Sequence, residues 1–213
     1  MTEIYRMSWT LSAFADEAGK STDEQIAALK KSGLTYIDPR SLDGHSIIEL
    51  PLDVAEQVQA KYEAAGIRVN MFGSPIGKID IADDIQVDLD RLAHLGKLKD
   101  IFGCNKVRIF SYYNKSGASK EQWKARTREN LKQICELAAT LEMELYHENE
   151  SHIYGDASDD VLDLADLRDG KSFFFIYDFA NYIRTGEAGW DTWQKMKSTT
   201  DYFWQATRGR PLF

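Results

Sequence analysis

Short apolar runs alternate with longer amphipathic stretches along most of the chain. Short runs rich in β-branched and aromatic residues, set between polar stretches, predict strands. The predicted strands cover residues 10–15, 36–39, 68–72, 106–111, 143–147, 173–177 and 202–204. Their order along the chain shows no run of hairpins.

The longer stretches carry apolar residues at helical spacing. Ser21 is followed three residues later by Glu24, and Ser119 by Gln122, and both pairs have the spacing of a capping box that starts a helix. Glycine closes the first three helical stretches. The predicted helices cover residues 21–33, 54–66, 85–103, 119–141, 161–167 and 190–196. We expect Asp191 to cap the last of them.

Strands that alternate with helices are typical of βαβ units, whose crossovers make neighbouring strands parallel. An open sheet and a closed barrel both satisfy this order. The predicted strands begin about 32 residues apart, whereas a complete barrel of eight units needs about 250 residues. The 213 residues therefore hold about six full βα units and the start of a seventh strand. We predict an α/β fold, an incomplete TIM-type barrel, with residues 1–213 as one domain.

Charge and composition narrow the classes of partner. Asp and Glu number 34 against 26 Lys and Arg, a net charge of −8 that argues against nucleic acid as a partner. No apolar run approaches the ~18 residues of a membrane span, and the first ten residues lack the apolar core of an export signal. Cys104 and Cys135 do not have metal or CxxC spacing, so we expect buried reduced thiols and a cytoplasmic protein.

The sequence GSPIGK at residues 73–78 follows a predicted strand. It is not a phosphate-binding P-loop, because three residues separate the glycines and Ile79 follows the lysine. A loop that places Lys78 at the carboxyl end of the sheet suits an anionic or polyhydroxyl substrate. A purely structural turn is the alternative.

The densest set of ligand-type side chains is HENESH at residues 147–152, directly after the fifth predicted strand. Asp178 ends the next apolar strand, and Asn181 follows three residues later. Glu148 and Asp178 at neighbouring strand ends predict a shared divalent cation, since carboxylate oxygens suit Mg²⁺ or Mn²⁺ and are compatible with other divalent ions. A solvated loop, or an ion pair of either acid with Arg108 or Arg40, is the alternative.

Two arginines fall in or beside predicted strands. Arg108 lies between apolar neighbours, where a charge is seldom unpaired, so an ion pair to a carboxylate is favoured over substrate contact. Arg40 ends its strand and is the better candidate for binding substrate oxygens.

Several motifs together resemble the sugar phosphate isomerase/epimerase family, the xylose-isomerase-like TIM barrels. They are FADE at 14–17, the Asp-Gly loop at 43–44, SPIGK at 74–78, RIFSYY at 108–113, HENE at 147–150, IYGD at 153–156 and DFAN at 178–181. The resemblance covers about residues 12–203. It implies a divalent metal (Mn, Mg, Co or Zn) held by a Glu, an Asp, a His and a second Glu from four strands.

By this resemblance Glu148 is the first Glu, a metal ligand and a catalytic acid or base, and Asp178 is the Asp ligand. The predicted substrate-binding residues are Glu17, Arg40, Ser74, Lys78, Ser111 and Asn181. The His and the second Glu have no counterpart, because residues 204–213 read WQATRGRPLF where family members continue into a His-x-Lys-Asp strand end. We therefore expect a C-terminally truncated or frame-shifted barrel, with a natural short variant as the alternative. Its open edges favour self-association into a homo-oligomer, or partial disorder.

The implied reaction is isomerisation or epimerisation of a sugar or sugar phosphate, by proton transfer next to a carbonyl through an enediolate that the metal stabilises. The predicted partner is thus a small carbohydrate, with no membrane or nucleic acid, and activity of this short chain is expected to be absent or weak. The alternatives are a non-catalytic carbohydrate-binding barrel fragment and, disfavoured by net charge, a metal-dependent abasic-site endonuclease.

Overall fold

A computed structural model describes residues 9–168 and 172–204, without the side chain of Trp204. The chain divides into two compact units, and each is described by itself. Unit 1 comprises Met1–Gly73 and Leu98–Cys104, and unit 2 comprises Ser74–Lys97 and Asn105–Phe213. The assignment of residues 1–213 to one domain stays a prediction.

Unit 1 contains a small parallel sheet with its helices. Its elements are β1 (Ser12–Ala13), α1 (Thr22–Lys31), β2 (Tyr36–Ile37), β3 (Ser41–Leu42), β4 (His45–Ser46), α2 (Leu52–Ala65), β5 (Arg68–Val69) and the last turn of α3 (Gln86–Phe102). The strand order is β1-β2-β5, with Ser12 opposite Tyr36 and Tyr36 opposite Arg68. The strands are shorter than the sequence predicts, but their order and parallel direction are as expected.

Local sequence explains the helix boundaries of unit 1. The Ser21 side chain accepts a hydrogen bond from the backbone N–H of Glu24, and the Glu24 carboxylate accepts one from the Ser21 N–H, which confirms the predicted capping box. Helix α2 ends at Gly66, whose φ of 71° is the left-handed conformation that glycine adopts without strain. Both helices bury an apolar stripe that includes Leu29, Val58 and Tyr62.

A two-residue hairpin interrupts the βα order in unit 1 and was not predicted. Strands β3 and β4 pair antiparallel across Asp43 and Gly44. Both residues have positive φ, 48° and 85°, which suits the tight turn that an Asp-Gly pair favours. The predicted order, without a run of hairpins, still holds; this one hairpin was missed because its strands are too short to show an apolar alternation.

Unit 2 contains the longer sheet. After the first part of α3 its elements are β6 (Lys106–Ile109), α4 (Lys120–Leu141), β7 (Glu144–Glu148), α5 (Ser158–Asp163), β8 (Phe173–Asp178), α6 (Phe179–Arg184), α7 (Gly189–Met196) and β9 (Tyr202–Trp204). All four strands are parallel in the order β6-β7-β8-β9. The capping box of Ser119 and Gln122 starts α4 as predicted. Because the strands are parallel, their carboxyl ends share one edge, where Glu148 and Asp178 are the last residues of β7 and β8.

Three features of unit 2 differ from the predictions. Helix α6 was not predicted; it is short, and Asp178, expected as a ligand, is its N-cap. Helix α7 is capped at Ala188 and not at Asp191, which lies inside the first turn, where a carboxylate still favours the helix dipole. Helix α5 begins at Ser158, three residues earlier than expected.

The remaining sequence predictions concern cysteines and membranes. Cys104 and Cys135 are not joined in a disulfide; Cys104 is buried as expected, whereas Cys135 is partly exposed. Within the described ranges, the structure has no helix of the length and apolarity needed to cross a bilayer.

Candidate functional site

Glu148 is the centre of the predicted site and lies at the carboxyl end of β7 in unit 2. Glu148 has only 4 % of its surface exposed to solvent. Its Oε2 atom is 3.1 Å from Nη1 of Arg108, which comes from the neighbouring strand β6. The ion pair that the sequence left open for Arg108 is therefore present, and it satisfies a guanidinium and a carboxylate that would both be costly to bury alone.

The surroundings of Glu148 disfavour its charged form. Burial raises the pKa of the Glu148 carboxyl to about 7, and the nearby charges of Asp178 and Glu150 add to the increase. Arg108 and Lys78 act in the opposite direction. A carboxyl group of this pKa exchanges a proton readily near neutral pH.

Asp178, the last residue of β8, uses its carboxylate as a helix cap. Its Oδ1 atom accepts hydrogen bonds from the backbone N–H groups of Ala180 (2.8 Å) and Asn181 (3.1 Å). Its Oδ2 atom accepts one from the side-chain amide of Asn181 at 3.2 Å. Burial raises the pKa of Asp178 while the two backbone hydrogen bonds oppose that increase. Asn181, predicted to contact substrate, thus holds this carboxylate in place.

Asn149 is a buried member of the site that the sequence analysis did not single out. Its side chain donates to the carbonyl of Asp178 at 3.1 Å and accepts from the Asp178 N–H at 2.8 Å, and its own carbonyl accepts from the amide of Asn181 at 2.9 Å. These bonds join the ends of β7 and β8, so the two acidic residues are fixed beside each other. Its position in HENESH, between Glu148 and Glu150, was the feature of the sequence that could have indicated its place in the site.

Lys78 and Glu150 form a second ion pair in the same unit. Nζ of Lys78 is 3.0 Å from Oε2 of Glu150, and it lies 4.1 Å from the centre of the Phe110 ring. The loop that carries Lys78 is fixed at Gly77, whose N–H donates to the buried Asp88 carboxylate at 2.7 Å. Lys78 and Glu150 keep 29 % and 22 % of their side-chain surface exposed, so this pair is the more accessible one.

Ser74 and Ser111, both predicted to contact substrate, are fully buried in unit 2. The Ser74 hydroxyl donates to the carbonyl of Arg108 at 2.6 Å, and the Ser111 hydroxyl accepts from the N–H of Gly155 at 2.8 Å. Both hydroxyls therefore support the strand ends, and their contact with substrate stays a prediction.

His147 precedes Glu148 and, by strand alternation, has its side chain on the other face of β7. It is fully buried between the rings of Phe173 and Phe175, and its two ring nitrogens have no hydrogen-bond partner among the described residues. Burial lowers the pKa of His147 to about 3, so the ring is neutral at pH 7.

The other predicted substrate residues, Glu17 and Arg40, lie in unit 1. The Arg40 guanidinium bonds Asp16 at 3.0 Å and Glu17 at 3.1 Å, and it lies 4.4 Å from the centre of the Phe14 ring. The two predicted residues are therefore brought together within their own unit. Their contact with substrate stays a prediction.

A cavity of about 570 Å³ opens in unit 1 at the amino ends of its strands. It is lined by residues at the starts of β2 and β5 and the ends of α2 and α3, namely Tyr36, Gln59, Glu63, Gly66, Ile67, Arg68, Val69, Phe102 and Gly103. Sites in parallel α/β folds form at the carboxyl ends of strands, so this cavity at their amino ends is not the candidate site.

The donor set around Glu148 and Asp178 does not fit a complete metal centre. The Glu148 carboxyl is paired with Arg108, and both oxygens of Asp178 accept hydrogen bonds within helix α6. Across residues 9–168 and 172–204, no three His, Cys, Asp or Glu side chains are grouped so that they could hold an ion. The part of the chain that is described supplies two neighbouring carboxylates and no further ligand to join them.

Solved structures show what this architecture is similar to. A probable 3-DHS dehydratase, AsbF, from Bacillus anthracis aligns with a TM-score of 0.74 at 17 % identity over 92 % of this chain and 72 % of that one. A xylose isomerase-like TIM barrel protein from Mycobacterium smegmatis, in complex with magnesium, aligns with a TM-score of 0.71 at 14 % identity over 92 % of this chain and 74 % of that one. A D-psicose 3-epimerase in the presence of D-fructose aligns with a TM-score of 0.69 at 14 % identity over 91 % of this chain and 72 % of that one.

These identities establish the fold alone, an α/β fold with parallel strands as predicted, and this chain corresponds to 72–74 % of the length of those three proteins. No curated protein matches the sequence. The family model described as the xylose isomerase-like TIM barrel matches residues 26–207, which is most of the chain. The resemblance drawn from the motifs is thereby confirmed, and the chain belongs to the xylose isomerase-like TIM barrel family.

Proposed function

We propose that this chain is a sugar isomerase or epimerase in which Glu148 moves a proton at the carbon next to a carbonyl. The observation that carries the proposal is a buried carboxyl group of pKa about 7 at the carboxyl end of β7. A general acid or base works best when its pKa lies near the working pH. The carboxyl ends of barrel strands are where enzymes of this architecture place their catalytic groups.

The neighbours of Glu148 have distinct parts in this proposal. Arg108 is a positioning residue, because its guanidinium at 3.1 Å fixes the orientation of the Glu148 carboxyl. Lys78 and Glu150 present a donor and an acceptor to sugar oxygens from the more exposed ion pair. The acid or base on the opposite face of the substrate is not assigned among these residues.

Metal dependence of this chain is a separate property. The family resemblance implies a divalent ion, and Glu148 and Asp178 are the two carboxylates that could contact it. Because both are already engaged by protein groups, we expect Mn²⁺ and Mg²⁺ to bind weakly. Calorimetric titration of the wild type, Glu148→Gln and Asp178→Asn with Mn²⁺ measures this. Tight binding by the wild type would contradict the expected weakness, and affinity that both variants retain would show that Glu148 and Asp178 are not the ligands.

Solvent exchange tests the catalytic proposal directly. We expect the protein in D₂O to place deuterium on the carbon next to the carbonyl of an unsubstituted ketose or aldose, detected by NMR. Glu148→Gln should slow the exchange by at least about 100-fold, the usual contribution of a general acid or base. Glu144→Gln is the matched control, since Glu144 begins the same strand and accepts a hydrogen bond from the Tyr146 hydroxyl at 3.0 Å. Equal exchange by both variants would refute the role of Glu148.

A non-catalytic carbohydrate-binding protein is the second candidate. It is favoured by the engagement of Glu148 with Arg108 and of Asp178 with the start of α6, which leaves both carboxylates in structural contacts. Thermal stabilisation by a sugar without any deuterium exchange would decide for this candidate. We also propose a cytoplasmic location, which the reduced thiols of Cys104 and Cys135 support.

A further inference from the structure

We propose that the site around Glu148 takes neutral sugars in preference to sugar phosphates, because the cations beside it are already matched by carboxylates. The inference rests on the proposed function and specifies its substrate class. A phosphate-binding site needs cationic groups, backbone N–H donors or a helix N-terminus that are available to the anion. Whether the site can bind a phosphate therefore depends on whether the cations around Glu148 are already paired with carboxylates.

Each inner cation of the site has its own acidic partner. Arg108 pairs with Glu148 at 3.1 Å, where both side chains are nearly closed to solvent, with 11 % and 5 % of their surface exposed. Lys78 pairs with Glu150 at 3.0 Å in the more accessible position. Asp178 adds a third negative charge, close enough to raise the pKa of Glu148.

One further cation lies at the edge of this cluster. The exposed Arg184 donates to the amide oxygen of Asn181 at 3.3 Å, and its charge lowers the pKa of both Glu150 and Asp178. Among the described residues of this cluster, Arg108, Lys78 and Arg184 lie with three carboxyl groups, so its positive charge is largely matched and little of it is available to a phosphate group.

The charge of the ligand decides between the two substrate classes. A phosphate ester carries a charge of about −1.5 to −2 at pH 7, so near Lys78 it would compete with Glu150 and be repelled by Asp178. A neutral sugar has no such conflict, because each hydroxyl can donate to a carboxylate and accept from Lys78. We therefore expect a preference of about tenfold or more for the neutral sugar, as unit charges a few ångströms apart near a protein surface produce.

Matched ligand pairs test this inference. The probes are D-fructose, D-psicose and D-glucose, each compared with its 6-phosphate, and the measurement is calorimetric affinity for the full chain, in EDTA and again with Mn²⁺. The wild type should bind the neutral member of a pair more tightly. Glu150→Gln keeps the acceptor for the Ser151 N–H, which lies at 2.8 Å, but removes the charge opposite Lys78. This variant should gain at least about fivefold in affinity for the phosphate ester, and the double variant Lys78→Gln/Glu150→Gln should lose that gain.

The outcomes separate this inference from the function on which it rests. Tighter binding of a 6-phosphate by the wild type, or a gain in Glu150→Gln that survives removal of Lys78, overturns the neutral-sugar preference and leaves the isomerase proposal standing. Failure of every probe to bind overturns both. Preferential binding of the neutral sugars together with the expected shift in Glu150→Gln supports the inference, whether or not the protein exchanges deuterium.

Discussion

The substitution Glu148→Gln should make the protein progressively more stable than the wild type as the pH rises. Glutamine has the shape of the protonated acid and can still accept a hydrogen bond from Arg108, but it never ionises. The folded wild type resists ionisation of Glu148, whose pKa is raised from 4.5 to about 7 chiefly by burial. The unfolded chain ionises this group freely above pH 4.5. Because folding raises the pKa of this acid, the free energy of unfolding of the wild type falls as the pH increases from 4.5 to 7.

The size of the effect follows from the two pKa values. Above pH 7 the full difference corresponds to about 3.4 kcal/mol, at 1.36 kcal/mol for each pH unit between 4.5 and 7. Between pH 5 and pH 8, the linkage relation gives about 2.5 kcal/mol by which the free energy of unfolding of Glu148→Gln should rise relative to that of the wild type. Other titrating groups, including His147, are present in both proteins, so their contributions cancel in the comparison.

Urea unfolding at several pH values between 5 and 8, in EDTA to exclude metal ions, measures this difference. Glu150→Gln is the matched control. Burial acts to raise the pKa of Glu150, but the charge and hydrogen bond of Lys78, the Ser151 N–H and the charge of Arg184 together lower it. The contribution of Glu150 to stability is therefore fully present above pH 5 and is lost only at lower pH. The control should show a much smaller growing advantage over the wild type, because the charge of Glu150 makes only a minor contribution to the raised pKa of Glu148. A Glu148→Gln advantage that stays constant within about 0.5 kcal/mol from pH 5 to 8 would refute the reasoning.

Three further substitutions test other parts of unit 2. Burial lowers the pKa of His147 to about 3, so the folded state loses stability as the pH falls below 6.5. His147→Met should therefore move the midpoint of acid unfolding, followed by circular dichroism, to lower pH. An unchanged midpoint would contradict this. Gly77 has a φ of 83°, and a Cβ there would lie 2.2 Å from the carbonyl oxygen of Phe110. Gly77→Ala should therefore lower the free energy of unfolding, measured in urea, by more than about 2 kcal/mol. The control Gly117→Ala, where φ is 76° and the space is open, should lower it by about 1 kcal/mol. Similar losses for both would show that the close approach is unimportant. Ser119→Ala should cost about 1 kcal/mol by removing the cap of α4, and a loss under about 0.3 kcal/mol would count against the capping box as a stabilising contact.

Several features of the fold were predictable because their causes are local. The capping boxes at Ser21 and Ser119 depend on side chains three residues apart, and both were placed correctly. The end of α2 depends on the freedom of Gly66 to take a positive φ. Parallel pairing of the strands followed from the alternation of apolar runs with amphipathic stretches. Local signals failed where the elements were very short, as in the hairpin of β3 and β4 and in helix α6.

The partners of the charged residues were not predictable to the same degree. The sequence indicated that Arg108 needs a carboxylate and placed Glu148 and Asp178 at strand ends, but it left their partners open. It did not indicate that Lys78 pairs with Glu150 or that Asn149 joins the ends of β7 and β8. Those contacts join residues 29 to 72 positions apart along the chain, and no spacing rule connects such pairs.

Neighbouring residues along the chain were enough to indicate the class of fold, the family, and the acidic and basic groups at the carboxyl ends of the strands. Apolar periodicity, helix caps and motifs all depend on short segments of sequence. Contacts between distant segments establish how those charges are satisfied: Glu148 pairs with Arg108, Lys78 pairs with Glu150, and Asp178 caps the start of α6. The cost of a buried charge depends on every group that packs around it. The register and packing of elements far apart in the sequence select those groups.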